Sequence, residues 1–255
     1  MKINYYLESI KGIRIKNDDR ASVFQNEKAT LAILCDGIGG HSFGDEAAQT
    51  VIDTFKHEFI HNFYVKNNLT AKQWVFSVFD KAKSTLKQLS STQAGKESMG
   101  TTAVGCLILH ETQNVIIFNS GDSRCYIAKE HELVQVTIDH NVENQLISEG
   151  EDIEKYNPEM RKYLTSAILP NYNTLIEIFE VSPKGFHNIK KILLTSDGIH
   201  GFMSKNELEY YILQDKPLKE IAKEVIDLAI VSESTDNMTL IILGIEQGGI
   251  NNGNN

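Results

Sequence analysis

Apolar runs of strand length come in two clusters along this chain, each with helix-patterned segments beside it. The first cluster opens with SVFQN and ATLAILC, parted by a short polar break of the kind that closes a hairpin. A helix is predicted from about Asp45: Ala47, Ala48, Val51, Ile52, Phe55 and Phe59 recur at helical spacing, and Asp45 and Glu46 put acid in its first turn. A second helix is predicted over residues 70–89, with Trp74, Val75, Val78, Phe79, Ala82, Leu86 and Leu89 on one face and a cap at Thr70 or a neighbour. TTAVGCLILH, NVIIFN, RCYIAK and ELVQVT follow across short polar joints, which reads as an antiparallel meander. Strands resume at TLIEIFEV, KKILLTS and MTLIILGI, with helices expected over 204–213 and 218–231. Two strand clusters with helices nearby predict an α+β fold. The arrangement suggests a four-layer α-β-β-α sandwich, two antiparallel sheets packed face to face and flanked by helices, though composition alone does not choose it over other α+β layouts.

No repeat and no linker divides the chain, so residues 1–246 are expected to form one domain and the Gly- and Asn-rich 247–255 a disordered tail. Residues 139–175 are mixed and polar, with Pro158 and Pro170 and short helical stretches at 142–149 and 161–169. An excursion of that length inside a compact domain is usually functional or mobile. The formal net charge of −9 argues against a nucleic-acid binder, which would carry a basic face. The N-terminus lacks the apolar centre of a signal peptide, and no apolar run approaches a membrane span. Cys35, Cys106 and Cys125 lie inside apolar segments without paired spacing, which fits a reducing compartment and a cytoplasmic protein.

The strand LAILC stops at Asp36, and Gly37, Gly39 and Gly40 follow at once. Asp122 follows VIIFNSG, Asp197 follows ILLTS, and Asp236 precedes NMTLIIL. Taken singly, an Asp beside Gly is a turn residue. Taken together, four carboxylates at the ends of apolar strands can reach one shared cleft, where pairing or coordination offsets the cost of burying them. If they converge, an all-oxygen set selects Mg²⁺ or Mn²⁺ over zinc or copper. His57 and His61 form an i,i+4 pair, but a third and fourth zinc ligand are not in sight.

Six ordered segments then make the chain resemble the metal-dependent protein phosphatases of the 2C type, the PPM family, in its compact bacterial form. They are RIKNDD, DGIGGHSFGDEAA, GTTAV, NSGDSRCYIAKEHELVQVTIDHN, LLTSDGIHGFMS and STDNMTL, spanning nearly the whole chain short of its tail. The resemblance implies the same sandwich, with two Mn²⁺ or Mg²⁺ ions at one edge. It implies that Asp36 bridges the ions, that the Gly37 carbonyl binds one of them, and that Asp197 and Asp236 hold the other. Asp18, where most relatives have Glu, would help hold the second ion, directly or through water. Asp19, His41 and Asn237 would support these ligands from behind, and Arg14 would grip the substrate phosphate with its planar fork. The implied chemistry is attack on phosphorus by a water that the two metals ready near neutral pH, with no protein nucleophile, so that Cys35 is strand core.

Three departures from the family pattern matter. Ile38 stands where many eukaryotic relatives carry a His proposed to protonate the leaving group. Gly201 replaces an acid that belongs to a third, weaker metal site, which leaves Asp122 either as that site's remaining ligand or as a structural residue near Arg124; His200 is the nearest residue able to compensate. Asp18 is one methylene shorter than Glu. Asp139, His140 and Asn141 read as a side-chain-stabilised turn, and residues 142–170 as a flap beside the site. The expected function is hydrolysis of phosphoserine and phosphothreonine in protein substrates, opposing a Ser/Thr kinase, by a monomer. Two alternatives stand: a catalytically weak module that binds a phosphoprotein or regulator, and a two-metal hydrolase of small phosphoesters or nucleotides.

Overall fold

A computed structural model describes residues 1–38 and 43–246; the expected tail lies outside them. The first sheet runs, in spatial order, β1 (Lys2–Ile10), β12 (Met238–Glu246), β11 (Lys191–Thr195), β8 (Arg124–Ala128) and β9 (Leu133–Gln135). The second runs β10 (Glu177–Val181), β7 (Asn114–Ser120), β6 (Ala103–Leu109), β3 (Ala29–Cys35) and β2 (Arg20–Gln25). A two-stranded ladder joins β4 (Gly37–Ile38) to β5 (Gly100–Thr101). Every pairing is antiparallel.

Three apolar layers hold the sandwich, and strand periodicity explains them. Side chains alternate across a strand, so β3 sends Leu31, Ile33 and Cys35 outward beneath α1 (Gly44–His61) and α2 (Asn68–Ser90), and Ala32 and Leu34 inward between the sheets. β12 does the same on the other side. Its Ile241 and Leu243 face the inter-sheet layer, and Leu240 and Ile242 pack with Leu208 of α7 (Lys205–Ile212) and Val225 of α8 (Leu218–Val231). Strands covered on both faces must be apolar throughout, which is why these runs show no polar alternation. Phe55 of α1 stacks on Phe118 at 5.3 Å and meets the edge of Phe79 at 5.3 Å. Gly105 leaves room for this, since a Cβ there would lie 2.3 Å from the Phe118 ring. Asn67 caps α2 by accepting from the Thr70 amide, while the Thr70 hydroxyl returns to the cap backbone.

Three local expectations give way. β1 pairs along all nine of its residues with β12, yet the sequence did not mark it: as an edge strand it buries only part of each side chain and carries polar residues on both sides. The expected meander is split between sheets. β6 and β7 close a hairpin in one, and the chain then turns at Gly121 (φ +118°) into β8 and β9 of the other. The helix expected over 161–169 is absent. The segment holds α3 (Val142–Ser148) and a four-residue turn, α4 (Pro158–Arg161), after which Leu164 and Ile168 bridge to Asn141 and Thr101; two more single turns, α5 (Pro183–Phe186) and α6 (Asp197–His200), flank β11.

Candidate active site

Strand register alone gathers the predicted aspartates. At one edge of the first sheet, Ile10 lies opposite Met238, Leu240 opposite Thr195, and Thr195 opposite Arg124. At one edge of the second, Arg20 lies opposite Cys35, Leu34 opposite Val104, and Ala103 opposite Ser120. Residues at and near these strand ends, with Leu164 from the 142–170 excursion, line a cavity of about 310 Å³: Arg14, Asp18, Asp36, Gly37, Ile38, Thr102, Asp122, Leu164, Asp197, Asp236 and Asn237.

Backbone and amide contacts fix the frame. Asn237 stitches two loops together: its Nδ2 donates to the carbonyls of Lys11 (2.9 Å) and Lys16 (3.0 Å), and its Oδ1 accepts from the Asp18 amide at 2.8 Å. Arg14 donates from Nε to the Thr235 carbonyl (2.9 Å) and from Nη2 to Asp236 Oδ2 (2.6 Å), which holds an exposed guanidinium at the mouth. Asp19 is buried behind the cavity and accepts from Ser196 Oγ at 2.8 Å. Thr102 braces Asp36: its Oγ1 accepts from the Asp36 amide (3.0 Å) and its amide donates to the Asp36 carbonyl (2.8 Å). Gly37 packs so tightly that a Cβ would lie 2.4 Å from the Gly44 carbonyl and 2.8 Å from that of Asp18, a steric reason for glycine independent of any ligand.

Other predicted residues fall elsewhere. His41 lies outside the described residues. Arg124 pairs with Asp139, at 2.7 Å from Nη2 to Oδ2, rather than with Asp122. His140 accepts from the Gly121 amide, and Asn141 caps α3, so this segment ties the 142–170 excursion to the corner that carries Asp122. His200 is buried, bonded to Thr195 Oγ1 at 2.8 Å, and does not line the cavity, so it does not replace the acid missing at Gly201. Cys35 is buried and unpaired. Thr102 and Leu164 border the cavity without having been assigned a role. GTTAV carried a signal for the first; nothing local marks the second, which arrives by the bridge to Asn141.

The sequence profile of the family described as Protein phosphatase 2C matches residues 13–232. The chain belongs to the protein phosphatase 2C family. It is 26% identical over 234 residues to the serine/threonine phosphatase stp of Listeria monocytogenes, covering 91% of each chain. The crystal structure of the serine/threonine phosphatase Stp1 from Staphylococcus aureus superposes with a TM-score of 0.87 at 26% identity, over 97% of this chain and 96% of that one. The α+β sandwich is therefore that of bacterial phosphatases of this type. No helix among the described residues is long and apolar enough to cross a membrane.

The electrostatics of the phosphatase site are dominated by crowded acid. Burial raises Asp36 well above the usual carboxylate range, with Asp19 and Asp197 adding repulsion. Burial also lifts Asp19 to about 7, against hydrogen bonds from Thr239 and Ser196, and lifts Asp122 to about 7 with Asp197 and Asp139 behind it. Asp197 is raised by burial and by Asp236, and its carboxyl lies within hydrogen-bonding reach of Asp36. Among the described residues no three His, Cys, Asp or Glu side chains are gathered into a ready metal cage. Arg14 rests on Asp236 and Lys16 on Asp18 instead. The donor set nonetheless fits hard divalent cations. It is all oxygen, the Asp36–Asp197 contact requires a proton or a cation between the two groups, and the buried Asp197 Oδ1 has no hydrogen-bond partner.

The raised carboxyls make a stability prediction. A group lifted from 3.8 to about 7 keeps in the fold a proton that the unfolded chain has already released. Cation-free protein should therefore lose stability as pH rises from about 4 to about 7, and Mn²⁺ added above that range should restore it. Thermal melts in chelator at about pH 5.5 and about pH 7.5 check this. A melting temperature equal or higher at the upper pH contradicts the assignment of these protons.

Proposed function

We propose that this protein phosphatase hydrolyses phosphoserine and phosphothreonine in protein substrates with the help of two Mn²⁺ or Mg²⁺ ions held by the cavity aspartates. One observation carries the reading: five aspartates from separate strand ends line a single cavity whose mouth holds Arg14. In this reading Asp36, Asp197, Asp236, Asp18 and the Gly37 carbonyl would hold the two ions. When bound, such ions supply a water that ionises near neutral pH and positive charge facing the phosphoryl oxygens.

The chain's own groups do the rest. Arg14, anchored by Nε on the Thr235 carbonyl, offers its fork to the phosphate, which competes with Asp236 for the guanidinium. Thr102 keeps the Asp36 backbone fixed, and Asn237 keeps Asp18 in register with Asp236. Ile38 and Leu164 give the cavity apolar walls with no proton to offer, so the departing serine or threonine oxygen takes its proton from water or from another group. With Gly201 exposed and outside the cavity, Asp122 lacks its usual acidic companion, and a third ion would bind weakly. The proposal extends to a monomer acting in the cytoplasm against a Ser/Thr kinase.

Hydrolysis of p-nitrophenyl phosphate and of a phosphothreonine peptide, each with Mn²⁺, with Mg²⁺ and with chelator, tests the reading. Turnover of both in metal and of neither in chelator is expected. Absence of metal-dependent turnover would leave the binding-module alternative in its place.

A further inference from the structure

The geometry points to Lys16 as a positioning residue that weakens the hold of Asp18 on a divalent cation. This inference rests on the two-cation reading above. Lys16 Nζ lies 3.1 Å from Asp18 Oδ1 and 2.7 Å from Asp45 Oδ1, and Arg20 Nη2 lies 3.4 Å from Asp45 Oδ2. Asp45 stands in the first turn of α1. The ammonium is thus tied between a helix start and a cavity carboxylate, rather than left to swing in solvent.

Asp18 Oδ1 is buried, and the ammonium 3.1 Å away is the charge it faces. The ammonium thus already stands on the oxygen that a cation would use. The Asp18 amide is held by Asn237 Oδ1 at 2.8 Å, so the backbone is set and Lys16 biases where the carboxylate points. A divalent ion taken up by Asp18 would have to share the carboxylate with this ammonium, or displace it toward Asp45. Two effects then act in one direction, competition for the same oxygen and repulsion between like charges a few ångströms apart. Lys16 is partly exposed, so solvent screens the repulsion, and the combined effect should be about ten-fold in affinity.

Calorimetric titration of the full chain with Mn²⁺ tests this without reference to activity. The wild-type protein should bind two ions, and Lys16→Met, which keeps the aliphatic stem, should tighten the weaker one by about ten-fold. Lys16→Gln should act in the same direction. In an Asp18→Asn background, Lys16→Met should change little, because the lysine acts through that carboxylate. Unchanged or weaker binding in both lysine variants would overturn the inference, as would the same gain persisting without the Asp18 charge, which marks a general field effect. A wild-type chain that binds no Mn²⁺ removes the two-cation reading itself, and this inference with it. A wild-type chain that binds two ions with unaltered affinity in both variants removes only the role of Lys16.

Discussion

Asp36→Asn is expected to reduce hydrolysis of a phosphothreonine peptide by at least about a thousand-fold, because shared cation charge at the reacting water is worth several kcal/mol. The position follows β3, and its carboxyl meets that of Asp197 inside the cavity. An amide cannot carry the negative charge with which Asp36 would help hold the cations. The effect should appear without loss of the fold, since Asn keeps the shape and the amide bond to Thr102 Oγ1 is made by the backbone. Cys35→Ser, one residue earlier, is the matched control. Its side chain points into the layer beneath α1 and α2 rather than into the cavity, so turnover should persist. Loss of turnover in Cys35→Ser with retention in Asp36→Asn would replace the metal-assisted mechanism by one with a protein nucleophile.

Gly198→Ala should have the second largest effect, and it should act through the backbone. A Cβ at Gly198 would lie 2.0 Å from the Asn237 carbonyl oxygen and 3.3 Å from the Asp236 Cβ. The obstacle is main chain of the neighbouring loop, which the Asn237 bonds to Lys11 and Lys16 hold in place. Asp197 and Asp236 would be forced apart. A cost of about 3 kcal/mol, at the upper end for overpacking, is expected. Urea denaturation would show it as a lower midpoint, and peptide turnover should fall with it even where the variant is folded. A midpoint and turnover equal to wild type would mean that the two loops yield, and that their spacing does not govern the site.

The aspartates were legible in the sequence because each breaks a continuous apolar run. Asp36, Asp197 and Asp236 stand where a strand covered on both faces meets the sheet edge, and such a break is visible without coordinates. The buried strands β3, β6 and β12 and the helices α1, α2 and α8 were legible for the same reason, since burial imposes an unbroken or periodic pattern. β1 was not, because an edge strand with one bonded neighbour tolerates polar side chains on both sides. Nor was the split of the expected meander, because a hairpin joint and a crossing between sheets both use a short polar turn with glycine; only the φ of +118° at Gly121 and the pairing of β8 with β11 tell them apart.

By itself the sequence determined which segments must be buried, which side chains are hard-oxygen donors, and that they fall at strand ends. The tertiary structure alone decided that those ends share one edge, that Leu164 closes the cavity wall, that Arg124 answers Asp139 rather than Asp122, and that Lys16 leans on Asp18. The division is physical. Burial and periodicity are properties of a residue and its near neighbours, so they are written locally. Contacts between residues far apart in the chain depend on register and on loop direction, which many sequences share and only the packed molecule resolves.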